Sequence, residues 1–537
     1  MGCDIGNVTF TEESYARFRA RLADCLRTLG HVVRHPGFGT EPCTLGAELE
    51  VSLVGENGRP APLNAAVAEA LHDDLLTLEV ARFNLEANLR PVLLRGRPFT
   101  AMAAQAARTL ERITAWSLPR HGVRVAPIGT LPTLTPGDLT AAALTPLPRY
   151  HVLEQAWALR RPTPFTLRVA DGDLGSVQAQ SVAVQGAACS WQIHLTVPPN
   201  RFRRTFDAAR LATGPALAAA GNSALPLGRS GWQESRIPLY EQGFGERSTT
   251  PGGGTFRPRV GFGRGWLRGG PLAAFEEAVH RYDVLLPARG QEPAHGGDRA
   301  DGGPPGAPYP ALEELQIHLS TVWSWNRPVY DPLGHLRIEF RALPSGPTPL
   351  DMAANTAFLV GLTLFLAADG RDVARELPFA CAEANFYRAA RDGLDASLWW
   401  PSPGSAPREH CAGALVKELL PQAREGLALA AVDAAEADAL LDLLHHRVAT
   451  GRTGAWWQQR TREVLRRRRE TGTGGRGEVR ERREVRELGA LREPGEAGVL
   501  GELGELGELT VRYARLAAEA GPVHTWNVPD LPPWSQR

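Results

Sequence analysis

Four stretches of the chain alternate strictly between apolar and polar residues. In Gly46 to Val54, the apolar Ala47, Leu49, Val51 and Leu53 enclose Glu48, Glu50 and Ser52. A period of two predicts a β-strand with one face on a core. A second strand is predicted over Arg82 to Leu94, with Asn84, Glu86 and Asn88 on one face and Pro91 marking its end or an edge position. Ser190 to Val197 sets Gln192, His194 and Thr196 together, and His335 to Leu343 sets Arg337, Glu339 and Arg341 together. Val123 to Gly129 is a further apolar strand, and Leu315 to Trp325 is partly alternating strand material.

Other segments follow the helical period. Thr11 to Leu29 has an apolar face through Phe18, Leu22, Cys25 and Leu29, with Thr11 placed to cap it. Ala65 to Leu71, Phe99 to Trp116 and Phe206 to Ala220 are predicted helices. So are Asp351 to Ala368, Phe379 to Asp392, Ala412 to Leu427, Ala434 to Val448 and Val511 to Ala520. Ala224 to about Gly270 reads as a loop. Residues 287–310 read as a flexible insertion, and 466–509 as an Arg/Glu tract with Gly-Glu-Leu repeated at its end. The predicted organisation is an α+β catalytic domain over 1–460, a charged linker or helix over 461–510, and a C-terminal helix with an aromatic tail (Trp526, Trp534) over 511–537.

Composition narrows the function. The 537 residues are 43% hydrophobic and carry 59 basic and 59 acidic side chains, so nothing favours nucleic acid or a membrane surface as partner. Lys417 is the only lysine and falls within a predicted helix. That supports neither a P-loop nor Schiff-base chemistry, and leaves phosphate handling to arginine, backbone amides or metal. Six cysteines without a Cys-x-x-Cys pair exclude a zinc cluster and a disulfide scaffold. The N-terminus lacks a signal pattern, and the most apolar run, Phe358 to Ala368, is too short to span a bilayer. The expected location is the cytoplasm.

The polar faces of the four strands are almost wholly carboxylate, amide, imidazole and guanidinium. Glu48 and Glu50 point the same way, about 6.6–6.8 Å apart. If the strands adjoin, Glu48, Glu50, Glu86 and Glu339 converge with His194, and their mutual repulsion calls for bound cations. Oxygen ligands with one imidazole suit Mg²⁺ or Mn²⁺, and the neighbouring arginines suit a polyphosphate. The alternative is a salt-bridged polar sheet face. Gly261-x-Gly263-x-Gly265, with Arg259, Arg264 and Arg268, is either a phosphate-covering loop or a mobile one.

With these residues the chain resembles the type-two glutamate–cysteine ligase (carboxylate–amine ligase) family, related in fold to glutamine synthetase. The resemblance runs from about Thr44 to Gln458. It rests on Gly46 to Glu50, Asn84 to Pro91, Gln192 to His194, Asn222-Ser223 with Ser235-Arg236, Trp323 to Pro328, Ile338 to Arg341, and Asn385 to Gly393. It implies an antiparallel sheet curled into an open cup with helices on its outer face. It also implies ATP-dependent formation of an amide through an acyl phosphate, most simply from glutamate and cysteine. By resemblance, Glu48, His194 and Glu339 hold the metal on the β/γ-phosphates, and Glu50 and Glu86 hold a second metal. Arg341 faces the transferring phosphoryl group, and Arg337 and Asn88 join it around the nucleotide. Arg236 faces the substrate carboxylate, with Asn222, Ser223 and Asn84 around the substrate. Ala224-Leu225 departs from the family's usual Pro-Phe, which bears on the acceptor amine. The same fold with another acid and amine, a non-catalytic nucleotide- or metal-binding homologue, and a two-metal phosphohydrolase are the alternatives.

Overall fold

All four alternating stretches are strands, and the four are neighbours in one sheet. The structure is a computed structural model and describes residues 10–161, 164–168, 175–247, 256–287, 307–368, 372–402, 405–471 and 494–529. Its main sheet contains β1 (Thr44–Val54), β2 (Leu76–Leu78), β3 (Asn84–Leu93), β4 (Arg124–Ala126), β5 (Trp191–Val197), β6 (Asn326–Asp331) and β7 (His335–Phe340). The order is β6-β7-β5-β1-β3-β2, with β4 also on β1, and every neighbouring pair is antiparallel. The sheet curls into a half-barrel with helices packed on it.

β1 is the centre of this sheet. Along one edge it pairs with β3; along the other it pairs with β5 from Leu45 to Leu49, then with β4 from Ser52 to Val54. Leu45, Ala47 and Leu49 lie opposite Leu195, Ile193 and Trp191, which makes the apolar face continuous across strands. Trp191 anchors that face to a helix by donating its indole N–H to Thr356 Oγ1 at 2.8 Å. Pro91 does not end its strand: β3 continues to Leu93, and the ladder is irregular between Leu45 and Ala47 instead. Such an irregularity tolerates the missing proline N–H.

The helices that matter here are α1 (Glu12–Val32), α2 (Pro98–His121), α3 (Phe202–Ala220), α4 (Pro349–Leu366), α5 (Phe379–Asp392), α6 (Ala412–Leu429), α7 (Ala434–Thr450), α8 (Gly454–Thr471) and α9 (Pro494–Glu519). Thr11 caps α1, reciprocated by Ser14. Among the described residues α4 is the one helix long and apolar enough to cross a membrane, and 78% of that stretch is buried inside the protein. It crosses α6 at a glycine pair. A Cβ added to Gly426 would lie 1.8 Å from the Gly361 carbonyl oxygen. Because the obstruction is backbone, Gly426→Ala should cost at least about 2 kcal/mol in denaturant unfolding, despite alanine's higher helix propensity.

Three expectations change. Leu315 to Trp325 is not a strand throughout: Glu313–Leu319 is a short helix, and only Trp323–Ser324 is extended. Leu315, Ile317 and Leu319 imitate a period of two, while Glu313 and Glu314 favour a helical first turn. The stretch expected as a loop after Ala224 contains a helix, Arg236–Gly243. The boundary expected at 510–511 falls inside α9. Leu506, Leu509 and Tyr513 of that helix form a second core with Trp457 and Trp526. Arg462–Glu502 at 2.8 Å and Arg469–Glu505 at 2.6 Å tie α8 to α9. Residues 288–306 of the expected insertion, 472–493 of the charged tract, and Trp534 lie outside the described residues.

Candidate active site

Strand register brings a first group of carboxylate and imidazole side chains together. Glu339 of β7 stands directly opposite His194 of β5, and Glu48 of β1 reaches the same point from the next strand. One donor atom from each of the three lies within 4.8 Å of the others. His194 Nε2 is 3.0 Å from Glu48 Oε1, yet neither ring nitrogen completes a hydrogen bond. Glu339 is fully buried and receives Arg327 Nε on one oxygen and Arg341 on the other. Burial alone would push its carboxyl up; the Arg327 and Arg341 guanidinia outweigh burial and hold it well below the usual carboxylate range. Burial likewise opposes ionisation of Glu48, and the adjacent His194 ring holds its carboxyl low.

A second group lies one strand over. Glu50 and Glu86 are directly paired across β1 and β3, and Glu79, just past β2, joins them. Glu50 Oε2 accepts from the Ser190 amide at 2.6 Å and hydroxyl at 2.9 Å, and its Oε1 accepts from Gln192 Nε2 at 2.9 Å. Glu86 Oε1 accepts from Thr77 Oγ1 at 2.8 Å and Asn88 Nδ2 at 2.9 Å. Burial, then the facing Glu86, pushes Glu50 up to about 7. Burial with the Glu86 and Glu50 charges pushes Glu79 well above its ordinary value, and burial with Glu48 raises Glu86. Three crowded carboxylates, beside a group of two further carboxylates and one imidazole, fit hard divalent cations such as Mg²⁺ or Mn²⁺.

Gln192 links the two groups. Its amide N–H₂ donates to Glu50, and its carbonyl oxygen accepts from Arg341, which also holds Glu339.

The raised Glu50 carboxyl gives a pH-dependent expectation. Without cation, folding raises its pKa from the ordinary value to about 7. The apoprotein therefore gains stability as pH falls through that window and loses it as pH rises. A cation bound by the same oxygens reverses the preference. The rise in Tm on adding Mg²⁺ should accordingly be large near about pH 8 and shrink markedly by about pH 6, which thermal unfolding with and without Mg²⁺ measures.

The remaining expected residues are placed as follows. Arg337 pairs with Asp331 at 2.8 Å toward the sheet edge. Asn88 donates to Thr77 and Glu86. Asn84 is buried, donating to Ser52 and Cys189, and its Oδ1 has no partner. Arg236 is buried, with Nε 3.1 Å from Glu234 Oε1 and its other nitrogens on the carbonyls of Arg341 and Ala342. Its ring neighbour is Trp325, 5.5 Å from the guanidinium carbon. Asn222 and Ser223 are fully enclosed behind it: the Ser223 hydroxyl accepts from the Arg236 amide at 3.1 Å. Ala224 and Leu225 are also buried, in the same frame.

Glu79, Gln192 and Arg327 join the site without having been singled out. Gln192 was on the expected polar face. Arg327 stands opposite Glu339 at the start of β6, where the following Pro328 reads in sequence as the end of a strand. Glu79 lies beyond a three-residue strand with no periodic signal. In the Gly-rich loop, Arg259 donates to the Thr321 carbonyl and hydroxyl at 3.0 and 3.1 Å, and Gly265 accepts from Arg210 at 2.6 Å. These contacts tie the loop to its own surroundings.

A glutamate–cysteine ligase from Francisella tularensis, crystallised with AMP, aligns at 12% identity and a TM-score of 0.48, over 91% of this chain and 97% of that one. A bifunctional glutathione synthetase from Pasteurella multocida aligns at 11% identity and a TM-score of 0.42, over 94% of this chain and 55% of that one. No curated protein sequence matches the chain significantly. The profile of glutamate–cysteine ligase family 2 matches residues 44–485, which carry every strand of the sheet and both carboxylate groups. The chain therefore belongs to glutamate–cysteine ligase family 2, and is an ATP-dependent carbon–nitrogen ligase.

Proposed function

We propose that the protein joins a carboxylate to an amine through an acyl phosphate, with glutamate and cysteine as the first substrate pair and ATP converted to ADP. The observation that carries this reading is the Gln192–Arg341 link between two adjacent carboxylate groups. It would hold two divalent cations and a guanidinium around one transferring phosphoryl group. The cations supply charge neutralisation for the phosphates and the reacting carboxylate.

The chain's own residues then have these roles. Glu48, His194 and Glu339 would hold the cation on the nucleotide side; Glu50, Glu86 and Glu79 would hold the one beside the acyl group. A carboxylate oxygen of the substrate attacks the γ-phosphorus and ADP leaves. Arg341, already fixed by Glu339 and Gln192, meets the charge that develops on the phosphoryl oxygens. The amine then attacks the acyl carbon, phosphate departs, and the nitrogen gives up a proton to form the amide. Arg337 and Asn88 are proposed to border the nucleotide, and Asn84 the substrate. Asn222 and Ser223 are proposed to fix Arg236 from behind, given their complete burial. A cytoplasmic location suits an ATP-consuming ligase.

The test is ADP release from Mg²⁺-ATP and glutamate, with and without a panel of amines. Amine-dependent release is the expected result, with cysteine the strongest responder. Equal release without amine would favour a phosphohydrolase, another preferred amine would reassign the substrate, and no release across the panel would refute turnover.

A further inference from the structure

We propose that Tyr513 is a positioning residue for the active site, acting through Asn222 on Arg236 and Arg341. It lies on α9, beyond the residues 44–485 that match the family. The inference rests on the reading of Arg341 as the group facing the transferring phosphoryl.

Packing explains the Tyr513 ring, which meets Trp457 at 5.8 Å and Trp526 at 5.3 Å between centroids. Packing does not explain the hydroxyl. A fully buried hydroxyl is costly unless its bonds are made, and phenylalanine would fill the same space. The Tyr513 hydroxyl lies 2.8 Å from the Pro127 carbonyl oxygen, to which it can donate, and accepts from Asn222 Nδ2 at 2.8 Å. Gln458 of α8 donates to the carbonyl and side-chain oxygens of the same Asn222, both at 3.0 Å. Two C-terminal helices thus converge on one buried asparagine.

From Asn222 the chain of bonds leads inward. Its backbone N–H donates to Glu234 Oε2 at 2.8 Å, and Glu234 Oε1 holds Arg236 Nε at 3.1 Å. Arg236 in turn donates to the carbonyls of Arg341, at 3.4 Å, and Ala342. Those carbonyls follow directly after β7, where the backbone aims the Arg341 side chain at Glu339 and Gln192. The links from Tyr513 through Asn222 and Glu234 to Arg236 are buried, so water offers no substitute there for a lost partner.

Two variants on α9 test this. Tyr513→Phe removes the hydroxyl and keeps the ring. Leu509→Ala, at a fully buried position one turn earlier, opens a cavity in the same core without removing a bond of the network. Tyr513→Phe should lower kcat about tenfold with KM for ATP within about twofold. It should also speed hydrogen exchange of residues 222–236 about tenfold. Leu509→Ala should lower Tm more, yet leave kcat and that exchange within about twofold of wild type. Wild-type kcat and exchange in Tyr513→Phe, or equal losses in both variants, would overturn the proposal. If the wild-type chain releases no ADP with any amine, the ligase reading fails instead, and the exchange comparison alone decides the role of Tyr513.

Discussion

Replacing Glu339 with Gln should lower amine-dependent ADP release by about 10³-fold while leaving a folded protein. Glu339 is fully buried and takes part in three charge contacts: Arg327, Arg341 and the ligand group with Glu48 and His194. Glutamine keeps the size and one acceptor oxygen but removes the charge. The Glu48–His194–Glu339 group loses one of its two carboxylates, and Arg341 loses the anchor that fixes its direction. Phosphoryl transfer depends on positioned charge rather than on covalent help, so a neutral group there should be felt mainly in kcat. The fold should survive because neither arginine is left without a partner. Arg341 retains Gln192, and Arg327 retains the Leu319 carbonyl at 2.8 Å. Circular dichroism and Tm alongside the ADP assay separate the two effects, and wild-type turnover in the variant would refute the assignment of Glu339.

Asp351→Ala should be the most damaging single change for stability, about 3–5 kcal/mol. Asp351 and Arg447 form an ion pair at 2.8 Å with both side chains essentially inaccessible to solvent. The other Asp351 oxygen accepts from the Thr348 hydroxyl at 2.7 Å and the Val523 amide at 3.0 Å. One carboxylate therefore joins the start of α4, the last turn of α7 and the segment after α9. Alanine would leave the Arg447 charge buried with only the Asn355, Ala219 and Asp351 carbonyl-type oxygens near it, and would strand the Val523 amide. Denaturant unfolding measures the loss; a change under about 1 kcal/mol would mean that the region relaxes to admit water to the arginine.

Much of the centre of this molecule was legible because β-strands write their faces into sequence. The stretches that form β1, β3, β5 and β7 each alternate, and their polar positions include Glu48, Glu50, Glu86, His194 and Glu339, with Arg341 next in phase just past β7. Alternation fixes a face but not a neighbour. That Glu339 stands opposite His194, and Glu50 opposite Glu86, is a property of register alone. Glu79 was invisible for a related reason: it follows a strand of three residues, too short to show a period. Arg236 and Asn222 carried the opposite difficulty. Their residue types suit substrate binding, but only the buried contacts with Glu234, Gln458 and Tyr513 show how tightly they are framed. The C-terminal helix was hardest to read, because its Gly-Glu-Leu repeats look like a solvated tract while Leu506, Leu509 and Tyr513 pack into a core.

In the proposed reaction a substrate carboxylate is activated by phosphorylation between the two carboxylate groups. The most direct measurement uses glutamate labelled with ¹⁸O in its carboxylates, unlabelled Mg²⁺-ATP and the responding amine, with mass analysis of the phosphate released. The acyl-phosphate route predicts one ¹⁸O transferred to phosphate for every amide formed. Unlabelled phosphate accompanying amide formation, or phosphate release that ignores the amine, would contradict it.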